Sequence, residues 1–148
     1  MSFVTKNKFY LIWILAVLLM AVLLRVWKLG EVPVSLYWDE IAMLVDAKFI
    51  TQTGMDMSGN NWFQIIYPSY GDYKLAPYLL ISSLFVNLPI IPEAQIRLLS
   101  VFVGIASMFV SSFLGYILFS SLSPSKRKAL FLAIFTTMAF SPWSIVFS

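Results

Sequence analysis

"LAPYLLISSLFVNLPII", Leu75–Ile91, is the stretch on which the fold turns. It is apolar but short, and Pro89 and Pro92 end it. A run of this length suits either a membrane span or a helix that dips into, or lies along, an interface. The charges on either side decide between them. All seven acids (Glu31, Asp39, Glu40, Asp46, Asp56, Asp72, Glu93) fall between residues 31 and 93. Lys6 and Lys8 have no acidic neighbour, and neither has the cluster Lys126, Arg127, Lys128. Basic residues are retained on the cytoplasmic side of a membrane. If Leu75–Ile91 crossed, the two basic segments would lie on opposite sides. If it stays at the interface, both lie inside.

The chain is 60% hydrophobic and 11% charged over 148 residues. Soluble domains average about 25% charged residues, so so much apolar surface reads as an integral membrane protein. "FYLIWILAVLLMAVLL" (Phe9–Leu24), with Arg25 and Lys28 snorkelling from its far end, is a first span over about 9–28. A signal peptide has the same basic opening, but its apolar region runs about 7–15 residues and ends in small residues. Arg25, Trp27 and Lys28 follow here instead, which fits an uncleaved anchor. A second span covers 96–122, where Gly104, Ala106, Ser107, Ser111, Ser112 and Gly115 suit close helix packing in lipid. A third covers 129–147, interrupted late by Pro142.

The expected fold is therefore an all-α membrane protein. Three spans are joined by an external loop over 29–95 and a cytoplasmic loop over 123–128. The N-terminus is cytoplasmic in this reading, and the membrane is the plasma (inner) membrane. With no cysteine and no histidine, disulfides, thiol chemistry and the common zinc clusters are excluded. The net charge of +3 is too small and scattered to track nucleic-acid phosphates.

Inside the loop, Trp38–Thr53 reads as an amphipathic helix suited to a membrane surface. Ile41, Val45 and Phe49 share one face, Asp39, Asp46 and Thr53 another, and Gly54 is a stop. "MDMSGNNW" (Met55–Trp62) is a turn by composition, and "YPSYGDYK" (Tyr67–Lys74) an aromatic, turn-rich approach to the short apolar helix. An acid at a helix start suits an N-cap, which would account for Asp39. It would not account for Glu40 beside it, or for Tyr37 and Trp38 flanking the pair at headgroup depth. Lys74 and Arg97 bracket the short helix on the same side. A carboxylate can take a proton from an attacking hydroxyl, and a fixed cation can hold a phosphate as charge builds on it. Asp39, Glu40, Lys74 and Arg97 beside an apolar groove would suit transfer from a lipid phosphate to a hydroxyl.

"RVWKLGEVPVSLYWDEIAMLVDAKFITQTGMDMSGN" (Arg25–Asn60), "YGDYKLAPY" (Tyr70–Tyr78), "IRLLSVFVG" (Ile96–Gly104) and "AFSPWSIVFS" (Ala139–Ser148), in that order, resemble the N-terminal part of a C-type-fold membrane glycosyltransferase. The relatives in view are bacterial proteins similar to protein O-mannosyltransferases and to the aminoarabinose transferase of lipid A. The resemblance implies an inverting transfer from a polyprenyl-phosphate-linked sugar to a hydroxyl-bearing acceptor, whether protein, lipid or glycan. It makes Asp39 the catalytic base with Glu40 beside it, and Lys74 the donor-phosphate contact. Arg97 becomes structural or phosphate-facing, and Asp72, Tyr37 and Trp38 support the site.

Two departures stand out. The family often carries two prolines directly after the lysine, whereas Lys74-Leu75-Ala76-Pro77 has one, displaced. Family members also run on past the equivalent of Ser148, so the resemblance implies an N-terminal fragment that is inactive alone. Some enzymes of this fold hold a divalent cation, but Asp39 and Glu40 offer too few hard oxygen ligands, and no cofactor is expected. The competing reading is a non-catalytic membrane subunit or transporter fragment whose external acids bind a partner or ion.

Overall fold

The computed structural model describes residues 3–31, 34–142 and 145. It is 66% helical. In order, the elements are α1 (Phe3–Val26), α2 (Trp38–Thr53), β1 (Ile66–Ser69), β2 (Asp72–Leu75), α3 (Ala76–Ser82), α4 (Pro92–Leu118) and α5 (Pro124–Phe140). They fall into two compact units, Lys28–Leu99 and Met1–Trp27 with Ser100–Ser148.

In the second of these units, α1 and α5 run parallel: Tyr10 meets Phe131 at 6.3 Å, Trp13 Nε1 donates to Thr136 Oγ1 at 3.3 Å, and Arg25 reaches the Ala139 carbonyl. α4 runs against α5, with Phe109 on Phe135 at 5.0 Å and Arg127 Nε donating to the Tyr116 carbonyl at 2.9 Å. Gly115 of α4 lies against the Ile134 side chain of α5, where a Cβ would make the Ile134 tip shift. Up-down-up order puts Lys8 and the Lys126–Lys128 cluster at one end.

α1 and α4 are long and apolar enough to cross a membrane. α5 has 17 residues and carries the basic cluster in its opening turns, so the segment expected as a loop over 123–128 is helical from Pro124. At about 1.5 Å per residue, the described part of α5 stands at the short limit of about 17 residues for a crossing. Most of the third span's expected far end, past Pro142, lies outside the described residues. Arg25 does not snorkel. It is buried and donates to the Ala21, Ala139 and Met138 carbonyls, satisfying the exposed C-terminal carbonyls of α5.

The unit Lys28–Leu99 has its own core of Leu44, Ala47, Ile50, Tyr67, Ala76, Leu79, Val86 and Ile96. Fully burying a side chain such as Leu79 contributes about 1.5–3 kcal/mol. Leu75–Ile91 is not one long helix. α3 has seven residues, started by Leu75 as N-cap with a proline in its first two positions. Short-range turns follow, with Leu84 N–H donating to Ile81 and Phe85 N–H to Ser82. The displaced proline thus opens α3, the position where a missing N–H costs nothing.

α2 has the expected bounds, and Gly54 closes it at φ 71° with its N–H on the Ile50 carbonyl. Ala42, Leu44, Asp46, Ala47 and Ile50 turn inward, while Ile41 and Val45 are exposed.

The all-α expectation also needs correction. β1 and β2 form an antiparallel hairpin with Ser69 opposite Asp72, Pro68 opposite Tyr73, Tyr67 opposite Lys74 and Ile66 opposite Leu75. Tyr70 and Gly71 make the two-residue turn at φ 47° and 85°, a pairing of positive angles that matches strand twist. With Ser69 and Asp72 closing the loop, Pro68 falls at a position needing no N–H, and the Ala76 N–H to Ile65 carbonyl bond (3.1 Å) continues the alternation.

Candidate functional site

Both site acids stand on the first turn of α2, held by Tyr37 as N-cap. The N-cap role expected of Asp39 belongs elsewhere: Glu40 Oε2 accepts the Tyr37 N–H at 2.9 Å, reaching back one turn. Glu40 also binds Arg97 through both oxygens, from Nε at 2.9 Å and Nη2 at 3.1 Å. Arg97 gives further bonds to the Leu29 and Ser35 carbonyls. Burial works to raise the Glu40 carboxyl, but the bonds from Arg97 and Tyr37 and the Arg97 charge outweigh it and hold the group low.

Asp39 points the other way. Its side chain is 76% exposed, and Oδ1 lies 2.5 Å from Lys74 Nζ. Asp72 Oδ2 lies 3.6 Å from the same nitrogen. β2 supplies both Asp72 and Lys74, two residues apart and so on one face of the strand. The Lys74 side chain is 11% exposed, so its ammonium emerges from packed surroundings. The Asp39 bond raises its pKa against the effect of burial, and the charges of Asp39 and Asp72 add to the rise. Asp72 is held low by the Tyr73 N–H and then by the Lys74 charge. Tyr37 and Trp38 are largely exposed, and Trp38 meets Tyr70 of the hairpin turn edge-on at 6.0 Å.

The structure therefore brings the four charged residues together as two pairs. Asp39–Lys74 is open on one side, with Asp72 next to it. Glu40–Arg97 is enclosed: the guanidinium's bonds go to Glu40 and to two carbonyls, and a phosphate could reach it only by breaking them. An open pocket of about 340 Å³ borders the hairpin turn, lined in part by Ser58, Ser69, Tyr70, Asp72 and Tyr73. Among the described residues no three acidic side chains converge as a metal site would need.

Two features lay outside the sequence reading. Asp46 is buried at 4% exposure and accepts from Ser69 Oγ at 2.5 Å. The spacing of Asp39 and Asp46 put them on one face, which was the available signal. Asp56 organises its turn, accepting from Ser58 N–H, Asn60 N–H, Asn60 Nδ2 and Gln64 Nε2 at 2.7–3.0 Å. Its oxygens are occupied by these donors, so it serves the loop.

Compared with known proteins, the chain matches no family model, no curated protein and no solved structure.

Proposed function

We propose that this chain carries the donor-phosphate and acceptor-activating centre of a membrane glycosyltransferase. The reaction moves a sugar from a polyprenyl phosphate to a hydroxyl-bearing acceptor with inversion. The observation that supports it is the Asp39–Lys74 pair, an exposed carboxylate 2.5 Å from the ammonium of a lysine whose stem is packed. In the step itself, the acceptor oxygen bonds to the sugar's anomeric carbon and its proton passes to Asp39. The bond from that carbon to the phosphate oxygen breaks, and the electron pair leaves with the phosphate. Lys74 meets the charge that grows there. An arriving donor phosphate competes with Asp39 for Lys74, so donor binding would release the carboxylate for its work as base. We assign Arg97 to holding Glu40 and the 29–35 segment, since its bonds already go there.

In the same reading α1, α4 and α5 cross the plasma membrane, with the N-terminus cytoplasmic and 29–95 external. The parallel course of α1 and α5 supports this, because it sets Lys8 and Lys126–Lys128 at one end, as retention of basic residues inside requires.

The test is binding of a long-chain polyprenyl phosphate to the chain in lipid nanodiscs, with the matching polyprenol as control. Saturable binding that needs the phosphate, and that Lys74→Ala weakens about tenfold, is expected for a charge-assisted contact. Equal binding of phosphate and alcohol, or no effect of Lys74→Ala, would overturn the donor assignment and favour a non-catalytic membrane subunit. In membranes where the gene product performs transfer, Asp39→Asn should slow transfer by roughly a hundredfold or more while donor binding persists. Transfer at the normal rate removes Asp39 from the base role.

A further inference from the structure

Asp46 is the buried titratable group for which the proposed chemistry has no use. It stands two turns along α2 from Asp39, about 10 Å further along the axis. Its Oδ2 accepts from Ser69 at 2.5 Å, and its Oδ1 has no hydrogen-bond partner. Burial pushes its carboxyl up; the Ser69 bond and the Lys74 charge pull it back, and the Asp56 charge adds to the rise. A buried carboxylate oxygen left without a donor keeps the cost of its lost hydration. An alanine or leucine would fill the place on α2 without that cost, so packing alone does not account for an acid.

The hairpin register shows what the acid reaches. Tyr67, Ser69, Asp72 and Lys74 share the inner face, because paired residues project to the same side. Ser69 and Lys74 are diagonal neighbours on it. α2 therefore grips this face at two points, Asp39 on Lys74 and Asp46 on Ser69. Tyr67 also packs this face into the core with Leu44, Ala47 and Ile50, an apolar contact with little directional specificity. Two points on different strands fix the register of the hairpin against the helix.

We propose that Asp46 is a positioning residue: by holding Ser69 it locks the inner face of the hairpin to α2, and so sets the Lys74 ammonium against Asp39. Its consequence for a donor phosphate rests on the function proposed above, but the placement of Lys74 does not. Asp46 touches neither phosphate nor acceptor and acts through Lys74. The charged groups around it are Lys74 and Asp56, with Asp39 on its own helix and Asp72 beside Ser69. The only titratable side chain of α3, which packs on α2, is Tyr78.

The experiment reads the Lys74 amine directly, by peptide-resolved acylation of the chain in nanodiscs as a function of pH, with Lys48 and Lys28 as internal references. Asp46→Asn keeps an oxygen for Ser69 and should leave the Lys74 rate within about twofold, a third of a pKa unit. Ser69→Ala and Asp46→Ala break the second grip, so Lys74 loses Asp39, titrates lower and acylates about tenfold faster, the factor carried by one pKa unit. If Asp46→Asn speeds acylation as much as Asp46→Ala, the charge acts and the grip does not, which overturns the proposal. An unchanged rate in Ser69→Ala overturns it as well, and that variant decides alone if Asp46→Ala fails to fold. Polyprenyl-phosphate binding measured on the same samples separates the two ideas. Loss of the grip's effect on acylation sinks this one, whereas phosphate binding indifferent to Lys74 sinks only the transferase reading.

Discussion

Glu40 and Arg97, 57 residues apart in the chain, form a forked ion pair in which Nε and Nη2 each meet one carboxylate oxygen, at 2.9 and 3.1 Å. The same Glu40 caps α2 through the Tyr37 N–H. Adjacent acids thus divide two tasks. Glu40 ties the start of α2 to α4 and to the backbone at Leu29 and Ser35, and this rigid seat presents Asp39 outward to Lys74. Two acids side by side need no paired chemistry: one builds the platform, and the other is displayed on it.

Arg97→Ala should loosen that platform. Breaking a buried pair by removing one partner costs about 3–5 kcal/mol, because Glu40 and two carbonyls lose their donor together. Hydrogen exchange of the α2 amides should quicken roughly a hundredfold, the factor that about 3 kcal/mol carries. Arg97→Lys keeps the charge but not the fork and should fall between. Unchanged exchange in Arg97→Ala would show that the unit is held by its apolar core alone.

Acid should undo the same contact. Glu40 is held below the usual carboxylate range, so its contribution is complete above the unfolded value of about 4.3 and is lost as pH falls toward the folded value. Asp56 is also held low: burial opposes this, but the bonds from Gln64 and Asn60 prevail. It adds to the loss in the same direction. Glu40→Gln should therefore be less stable than the parent at pH 7 and should narrow that gap below about pH 4. An equal gap at both pH values would mean that ionised Glu40 adds nothing.

Much of α2 was legible because its signals are local: apolar residues recurring at helical spacing, and Gly54 just beyond the end. The hairpin was not legible. Its strands have four residues each, one interrupted by Pro68, too short for a two-residue alternation to stand out, and only Gly71 marked the turn. The residue types of the site were visible, but the pairing of Asp39 with Lys74 and Glu40 with Arg97 was set by the hairpin and by the second turn of α4. That partition decides which cation remains available to a ligand.

Gly71→Ala tests whether the hairpin turn carries Lys74. Gly71 sits at φ 85° with open space where a Cβ would go, so the cost is backbone strain alone. An L-residue there loses about 1–2 kcal/mol. The turn lies three residues from Lys74, and opening it should weaken the Lys74–Asp39 contact and raise the acylation rate of Lys74 several-fold. Proteolysis between residues 69 and 72 should rise in step. Faster proteolysis without any change at Lys74 would show that α3 and the core hold β2 in place without the turn.

The chain's lack of cysteine makes its sidedness directly measurable. Ser58 lies in the turn after α2 and Ser125 in the first turn of α5, and both are exposed. If α1 and α5 enter the membrane from the cytoplasm, Ser58→Cys should react in intact cells with a thiol reagent that does not cross membranes. Ser125→Cys should react only after permeabilisation. Neither position contributes to a core, so the substitutions should leave the fold intact. The reverse pattern would place Asp39 and Lys74 on the cytoplasmic face and remove any external acceptor from reach. Labelling of both positions in intact cells would mean that α4 does not cross, and the basic cluster at Lys126–Lys128 would then need an explanation other than retention inside.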